Sequence, residues 1–291
     1  MKVTINAPAK INLYLNILNK LDNGYHNVEM IMQTVSLFDK VTVLKDVHSG
    51  IKLSSNHTFP GVIEKNTAYL AAQAFFEKNN LNNPGINIHI EKKIPIGAGL
   101  AGGSSDAAAV LVALNHLFST HLSKCDLALI GRQIGADVPF CVLGGTMLAD
   151  GIGTTLAPIV NMPDCHIIIV KPETFVSTKA AYTASDKFPI NKNKTINSIL
   201  SAVKNCDIEK IAKGLYNRFE VVMSLSEIDK IKNILNKHGA INSCMTGTGS
   251  AVFGIFDNKE SANTCKNILS NYYKEVFLVN PITHGCYISE K

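Results

Sequence analysis

Apolar and polar residues alternate in short runs through the first third of the chain. Residues 3–7, 11–18, 30–37, 41–44, 51–53 and 86–90 each carry the period-two pattern of a strand with one buried face. Thr67–Lys78, TAYLAAQAFFEK, breaks this rhythm: its apolar positions recur every three or four residues, and Asn66 stands where an N-cap belongs. Helices are predicted again over 104–118 and 124–134, then a turn over 135–139 and strands over 145–149 and 154–156. Pro158 and Pro163 bracket a linker. Beyond it the pattern restarts with a strand at 166–170, a helix at 177–185, a helical stretch at 195–238, strands at 241–245 and 251–256, a helix at 259–271 and a strand at 275–279. The expectation is an α+β protein of two domains, 1–157 and 158–291.

Composition narrows the class. With 46% hydrophobic and 18% charged residues, the chain has the makeup of a folded globular protein. Its longest apolar run, 107–114, is too short to span a bilayer, and the start MKVTINAPAK lacks a signal-peptide core, so a cytoplasmic protein without a membrane partner is expected. The seven cysteines show no C-x-x-C spacing, which fits reduced, buried thiols. The net charge of +5 is spread thinly, and Arg132 and Arg218 are the only arginines. No basic stripe for nucleic acid results, and any phosphate must be held by backbone amides and lysines.

Such a holder is present. Pro95-Ile96-Gly97-Ala98-Gly99-Leu100-Ala101-Gly102-Gly103-Ser104-Ser105 places four glycines between a strand and an alanine-rich helix. Glycines let amides turn toward an anion, and a helix start adds unpaired N–H groups and partial positive charge. The spacing meets G-x-G-x-x-G, but the acidic residue that a dinucleotide fold wants about 20 positions on is missing. No Gly-Lys-Ser or Gly-Lys-Thr closes a P-loop either. A second glycine and hydroxyl run, Thr246-Gly247-Thr248-Gly249-Ser250, lies between two strands and by itself is a hairpin signal.

Four further places carry candidate chemistry. Lys10 and Asn12 share one face of a strand, either as a solvent-facing edge or as a cation beside a reacting oxygen. Asp137, in the apolar turn Gly135-Ala136-Asp137-Val138-Pro139, is either a helix cap or a base for a substrate hydroxyl. Asp106, in the first turn of the glycine-loop helix, reads as structural, with a Mg²⁺ role the minor alternative. Tyr25 and His26 would suit a nucleobase, one by stacking and the other by hydrogen bonding.

Taken in order, APAKINL at 7–13, DNGYHNVEMI at 22–31, PIGAGLAGGSSDAA at 95–108, GADVPFC at 135–141 and MTGTGSAVFG at 245–254 resemble the motifs of the GHMP kinase superfamily along essentially the whole chain. The resemblance implies the two-domain GHMP fold, an N-terminal ribosomal-S5-like α/β domain followed by an antiparallel sheet with helices. It also implies transfer of the ATP γ-phosphoryl group to the 2-hydroxyl of a small molecule, a cytidine-diphosphate-linked methylerythritol of non-mevalonate isoprenoid synthesis. Lys10 and Asp137 become the catalytic pair, with Asp137 as base and Lys10 orienting it. Residues 95–105 hold ATP, with Ser104 or Ser105 as a possible Mg²⁺ ligand. Asn12, Tyr25, His26 and Tyr182 contact the acceptor, and the third glycine loop, Gly247, Thr248 and Gly249, shapes the wall between the phosphate and acceptor sites. Asn66 and Lys92 are candidates for adenine. Where the family often has Gly-Pro, Gly249 precedes Ser250. A different acceptor alcohol, or a ligand sensor of the same fold, stays open at this point.

Overall fold

The computed structural model describes residues 1–59, 61–82, 84–189 and 194–289. Its frame is a pair of long antiparallel strands, β1 (Lys2–Lys20) and β2 (His26–Lys45), in register from Lys2 opposite Leu44 to Lys20 opposite His26. Four of the expected strands are therefore halves of two. The pairing shifts between Pro8 and Ala9, Asn12 and Tyr14, and Ile17 and Asn19. The first shift adds two residues on β2, and each of the other two adds one residue on β1, which reverses the face the next side chain takes, so continuous strands read as broken in a period-two pattern.

Strands β3 (Ile51–Ser55), β4 (Ile86–Glu91), β5 (Thr146–Asp150), β6 (Thr155–Pro158), β8 (Tyr216–Asn217) and β12 (Tyr287–Ile288) complete this sheet. Its order is β12-β1-β2-β4-β3, with β5 on β2, β6 on β5 and β8 parallel to β1. A second sheet runs β11-β7-β10-β9, built from Glu275–Val279, His166–Lys171, Val252–Phe256 and Asn242–Met245. β1 is the seam between two cores. Its Ala7, Leu15 and Ile17 pack with residues of α1 (Thr67–Lys78) and α2 (Gly102–Phe118), whereas Ala9, Ile11 and Leu13 pack with Ile167, Ile169 and Phe253 of the second sheet. This is why its centre is buried on both faces, and why a polar side chain there must find partners inside the protein.

Helix α1 begins as expected, with the Asn66 side chain accepting from Ala68 N at 2.9 Å. α3 (Lys124–Arg132) opens with a reciprocal Ser123–Asp126 capping box. The expected turn at 135–139 instead leads into α4 (Val138–Leu143), since Pro139 falls in the first helical turn, where a missing N–H costs nothing. α5 (Thr178–Ser185) is capped by Ser177. The helical stretch 195–238 divides into α6 (Asn197–Lys204), α7 (Ile208–Lys213), strand β8, α8 (Arg218–Met223) and α9 (Ser226–Lys237), with Cys206 and Ser224 in left-handed conformations at the breaks. Helix α10 (Lys259–Ser270) packs Ala262, Cys265 and Leu269 inward. Among the described residues, no helix is long and apolar enough to cross a membrane.

Candidate active site

A cavity of about 1110 Å³ opens between the two glycine loops, the tip of the β1–β2 hairpin and α5. Lys10, Asn12, Tyr25, His26, residues 95–104, Asp137, Tyr182, Gly247, Thr248 and Gly249 all border it. Ser105 does not. It is fully buried, and its hydroxyl donates to the Pro8 carbonyl at 2.8 Å, so of the two serines only Ser104 faces the cavity.

The first loop is shaped by its backbone. Gly97 and Gly99 have φ of 64° and 76°, and Ala101 turns left-handed at 58° to start α2. The opening amides of α2 lack intrahelical partners and stand at the cavity wall. The loop is moored on both sides: Lys10 N donates to Leu100 O at 3.1 Å, and Ala251 N to Ala98 O at 3.2 Å. It also lies directly on the third loop, since a Cβ at Gly99 would stand 2.2 Å from Thr246 O, and one at Gly247 would stand 2.8 Å from Gly99 O. Asn217, which carries no recognisable sequence signal, fixes the third loop from below by donating to Met245 O at 2.7 Å and Gly247 O at 2.8 Å.

Lys10 and Asn12 do not lie on a solvent-facing edge; both are buried on the central strand β1. The Lys10 ammonium donates to Asn12 Oδ1 at 2.7 Å, and the same oxygen accepts from Gly247 N at 3.0 Å. Asn12 Nδ2 points to Met30 Sδ at 3.4 Å. Fully buried and engaged within the protein, Asn12 thus ties the lysine to the third loop.

Asp137 stands just before α4 without donating or accepting as a cap, and among the described residues neither it nor Lys10 forms an ion pair. Both nonetheless act on one neighbour. Burial pushes the Cys141 thiol well above its ordinary value; the Cys286 thiol and Asp137 push the same way, and Lys10 opposes them. Two opposite, unpaired charges therefore border one cavity and are felt at one buried point beneath it.

Asp106 and Lys92 belong to a buried cluster that the sequence did not reveal. The Lys92 ammonium is held between Asp39 and Asp106, at 2.6 Å from Asp106 Oδ2. Asp39 Oδ1 accepts from the amides of Lys93 and Ile94 at 2.6 and 2.8 Å. Asp106 Oδ1 has no partner and is buried. Lys92 is thus committed to two carboxylates, and Asn66 to capping α1, although both border the cavity.

At the hairpin end, the rings of His26 and Tyr182 stack at 4.7 Å and 30°, and Tyr182 meets Phe219 edge-on at 4.9 Å. His26 and Tyr182 therefore form one continuous wall, with no room for a third ring between them. Tyr25, which also borders the cavity, is 61% exposed. Burial, followed by Asp137, holds the Tyr182 phenol up at about 12, so it stays neutral.

These features describe a phosphotransferase of small alcohols, and family models agree: residues 66–145 match the GHMP kinases N terminal domain and residues 199–275 the GHMP kinases C terminal. The chain belongs to the GHMP kinases. It is 44% identical over 276 residues to the 4-diphosphocytidyl-2-C-methyl-D-erythritol kinase of Caldicellulosiruptor bescii, covering 94% of this chain and 96% of that one. The enzyme of the same name from Clostridioides difficile is 42% identical, with 97% and 96% covered. Among solved structures, a 4-(cytidine 5'-diphospho)-2C-methyl-D-erythritol kinase superposes with a TM-score of 0.81 at 29% identity, covering 97% of this chain and 99% of the other. Homoserine kinase from Cytophaga hutchinsonii shares the fold, with a TM-score of 0.81 at 19% identity over 99% of this chain and 97% of its own.

Proposed function

We propose that this chain transfers the γ-phosphoryl group of ATP to the 2-hydroxyl of 4-diphosphocytidyl-2-C-methyl-D-erythritol, a step of non-mevalonate isoprenoid precursor synthesis. The observation that carries the reading is the layout of one cavity: a glycine loop at one end, a histidine–tyrosine wall at the other, and the unpaired Lys10 and Asp137 between them. Near-full-length likeness to kinases of that alcohol supports the choice of acceptor.

In this reading the triphosphate lies on the amides of residues 95–104 and the start of α2, and the base of the acceptor lies against Tyr25, His26 and Tyr182. Asp137 takes the proton of the 2-hydroxyl as the oxygen attacks the γ-phosphorus, and Lys10 stabilises the negative charge that develops on that oxygen. Asn12 aims Lys10 and keeps the third loop closed behind it. Catalysis is mostly positioning and charge stabilisation.

Mg²⁺ is expected with ATP, where it neutralises charge on the phosphate oxygens. Among the described residues no group of three or more His, Cys, Asp or Glu could cage a metal, which fits an ion carried chiefly by phosphates and water. Ser104, which borders the cavity, would contribute its hydroxyl to the ion's shell. We assign the protein to the cytoplasm, with which its seven free thiols are consistent.

Acceptor-dependent ADP release in a coupled assay tests the reaction. The purified chain should release ADP only with the cytidine-linked alcohol present. Asp137→Asn should lower kcat by roughly 10²- to 10⁴-fold while leaving the Kd for ATP within about twofold. No acceptor-dependent ADP from the unaltered chain overturns the kinase reading; near-normal turnover of the variant overturns the assignment of the base.

A further inference from the structure

The tip of the β1–β2 hairpin and a helix end about 160 positions later meet at one end of the cavity. Lys20 ends β1, His26 begins β2, and Asp186 follows α5; all three border the cavity. One carboxylate joins them, Asp186 Oδ2 to Lys20 Nζ and Oδ1 to His26 Nε2, each at 2.6 Å. The two halves are unequal. Lys20 is 55% exposed, so its ion pair is screened by water, while the His26 side chain is only 7% exposed. The shielded contact is the one to histidine.

We propose that Asp186 is a positioning residue for nucleobase recognition: it holds His26 in the tautomer whose free Nδ1 accepts a hydrogen bond from an exocyclic amine, so that the site prefers cytosine to uracil. The inference rests on the cytidine reading above and deepens it. An ionised carboxylate only accepts, so the proton must sit on Nε2, and the neutral ring then offers a lone pair at Nδ1. Hydrogen bonds from Lys20 and His26 hold Asp186 below the usual carboxylate range, which keeps it in the accepting form. Nδ1 has no protein partner among the described residues and is not sealed off.

Two constraints fix the ring. The stack on Tyr182, itself wedged by Phe219, sets its plane, and Asp186 sets which nitrogen faces which way. At position 4 cytosine presents an amine that donates, whereas uracil presents a carbonyl that accepts. The first pairs with the Nδ1 lone pair; the second opposes it and leaves two acceptors facing each other. A site built to accept from an N–H group rejects an analogue that lacks it.

The test is calorimetric titration of the full chain with cytidine diphosphate and uridine diphosphate at about pH 8, above the ordinary imidazole range. The unaltered chain should bind the cytidine nucleotide at least about tenfold more tightly. Asp186→Ala should bring the two Kd values within about threefold of each other, with the Kd for ATP unchanged as the sign of an intact fold. Asp186→Asn, whose side-chain oxygen still accepts from Nε2–H, should recover part of the preference, and it carries the test if the alanine variant does not fold. A general loss of packing would weaken both nucleotides alike, without moving their ratio. An unaltered ratio in Asp186→Ala, no preference in the unaltered chain, or binding of neither nucleotide overturns the inference. The ADP-release assay on the unaltered chain reports separately on the kinase reading, so either can fail alone.

Discussion

At the residue scale the site is governed by charges that cannot reach bulk water. Two carboxylates, Asp39 and Asp106, share the single Lys92 ammonium under the start of α2, so that ionising both would leave one net negative charge buried. Burial pushes Asp106 up to about 7; the Lys92 charge opposes that shift, and Asp39 adds to it. The native state therefore holds a proton on Asp106 that the unfolded chain has released by about pH 4. Stability should fall as pH rises from about 4 to about 7 and level off above, since in that window the native state binds more protons than the unfolded one. Asp106→Asn removes the group and should flatten that slope, giving a variant at least as stable as the parent at about pH 8. Urea midpoints measured across this range check it; a parental slope retained in the variant would assign the dependence elsewhere. Residues set in local motifs, Lys10 beside Asn12 or Asp137 in its apolar turn, were visible in the sequence. Asp39 and Asp186 were not, because their partners lie 53 and 160 positions away and no spacing rule links them.

At the scale of elements, the two glycine loops act as one unit because their backbones touch. Gly99 has a φ of 76°, and its missing Cβ is what lets Thr246 O approach. Gly99→Ala should force the loops apart, costing about 1–3 kcal/mol in stability and weakening ATP binding by about tenfold or more. Thermal unfolding with and without ATP measures both; a variant with parental melting temperature and affinity would show that the contact carries nothing. The sequence located both loops but gave no sign that they meet, since hairpin and helix-start signals are local. Elements were readable where one period persisted, as in α1 and β11, whose bounds match the expected ranges. They are less legible where bulges interrupt the pairing within β1 and β2, or where the expected turn at 135–139 runs into α4 with Pro139 in its first turn.

At the scale of the whole molecule, the chain's last described segment returns to the first sheet and closes the back of the site. β12 pairs with Ile5 and Asn6 of β1, Gly285 N donates to Leu143 O at 3.2 Å, and Cys286 N donates to Cys141 O at 3.0 Å. Cys286 also places its sulfur 3.5 Å from Ser105 O, behind the first turn of α2. One short segment therefore supports both α4, which follows Asp137, and the helix start that bears the phosphate loop. No strand signal announced it, because a two-residue strand is too short to show a period. Gly285 is what allows so close an approach: a Cβ there would stand 2.4 Å from Cys141 O and 2.5 Å from Val142 O, both rigid helical backbone. Gly285→Ala should cost about 1–3 kcal/mol through this clash and lower the melting temperature by a few degrees. Because the displaced element is α4, the loss should also reach Asp137: kcat should drop severalfold at saturating ATP and acceptor, in protein confirmed folded at the assay temperature. A drop in stability with kcat intact would mean that the tail props up the fold without setting the position of the base.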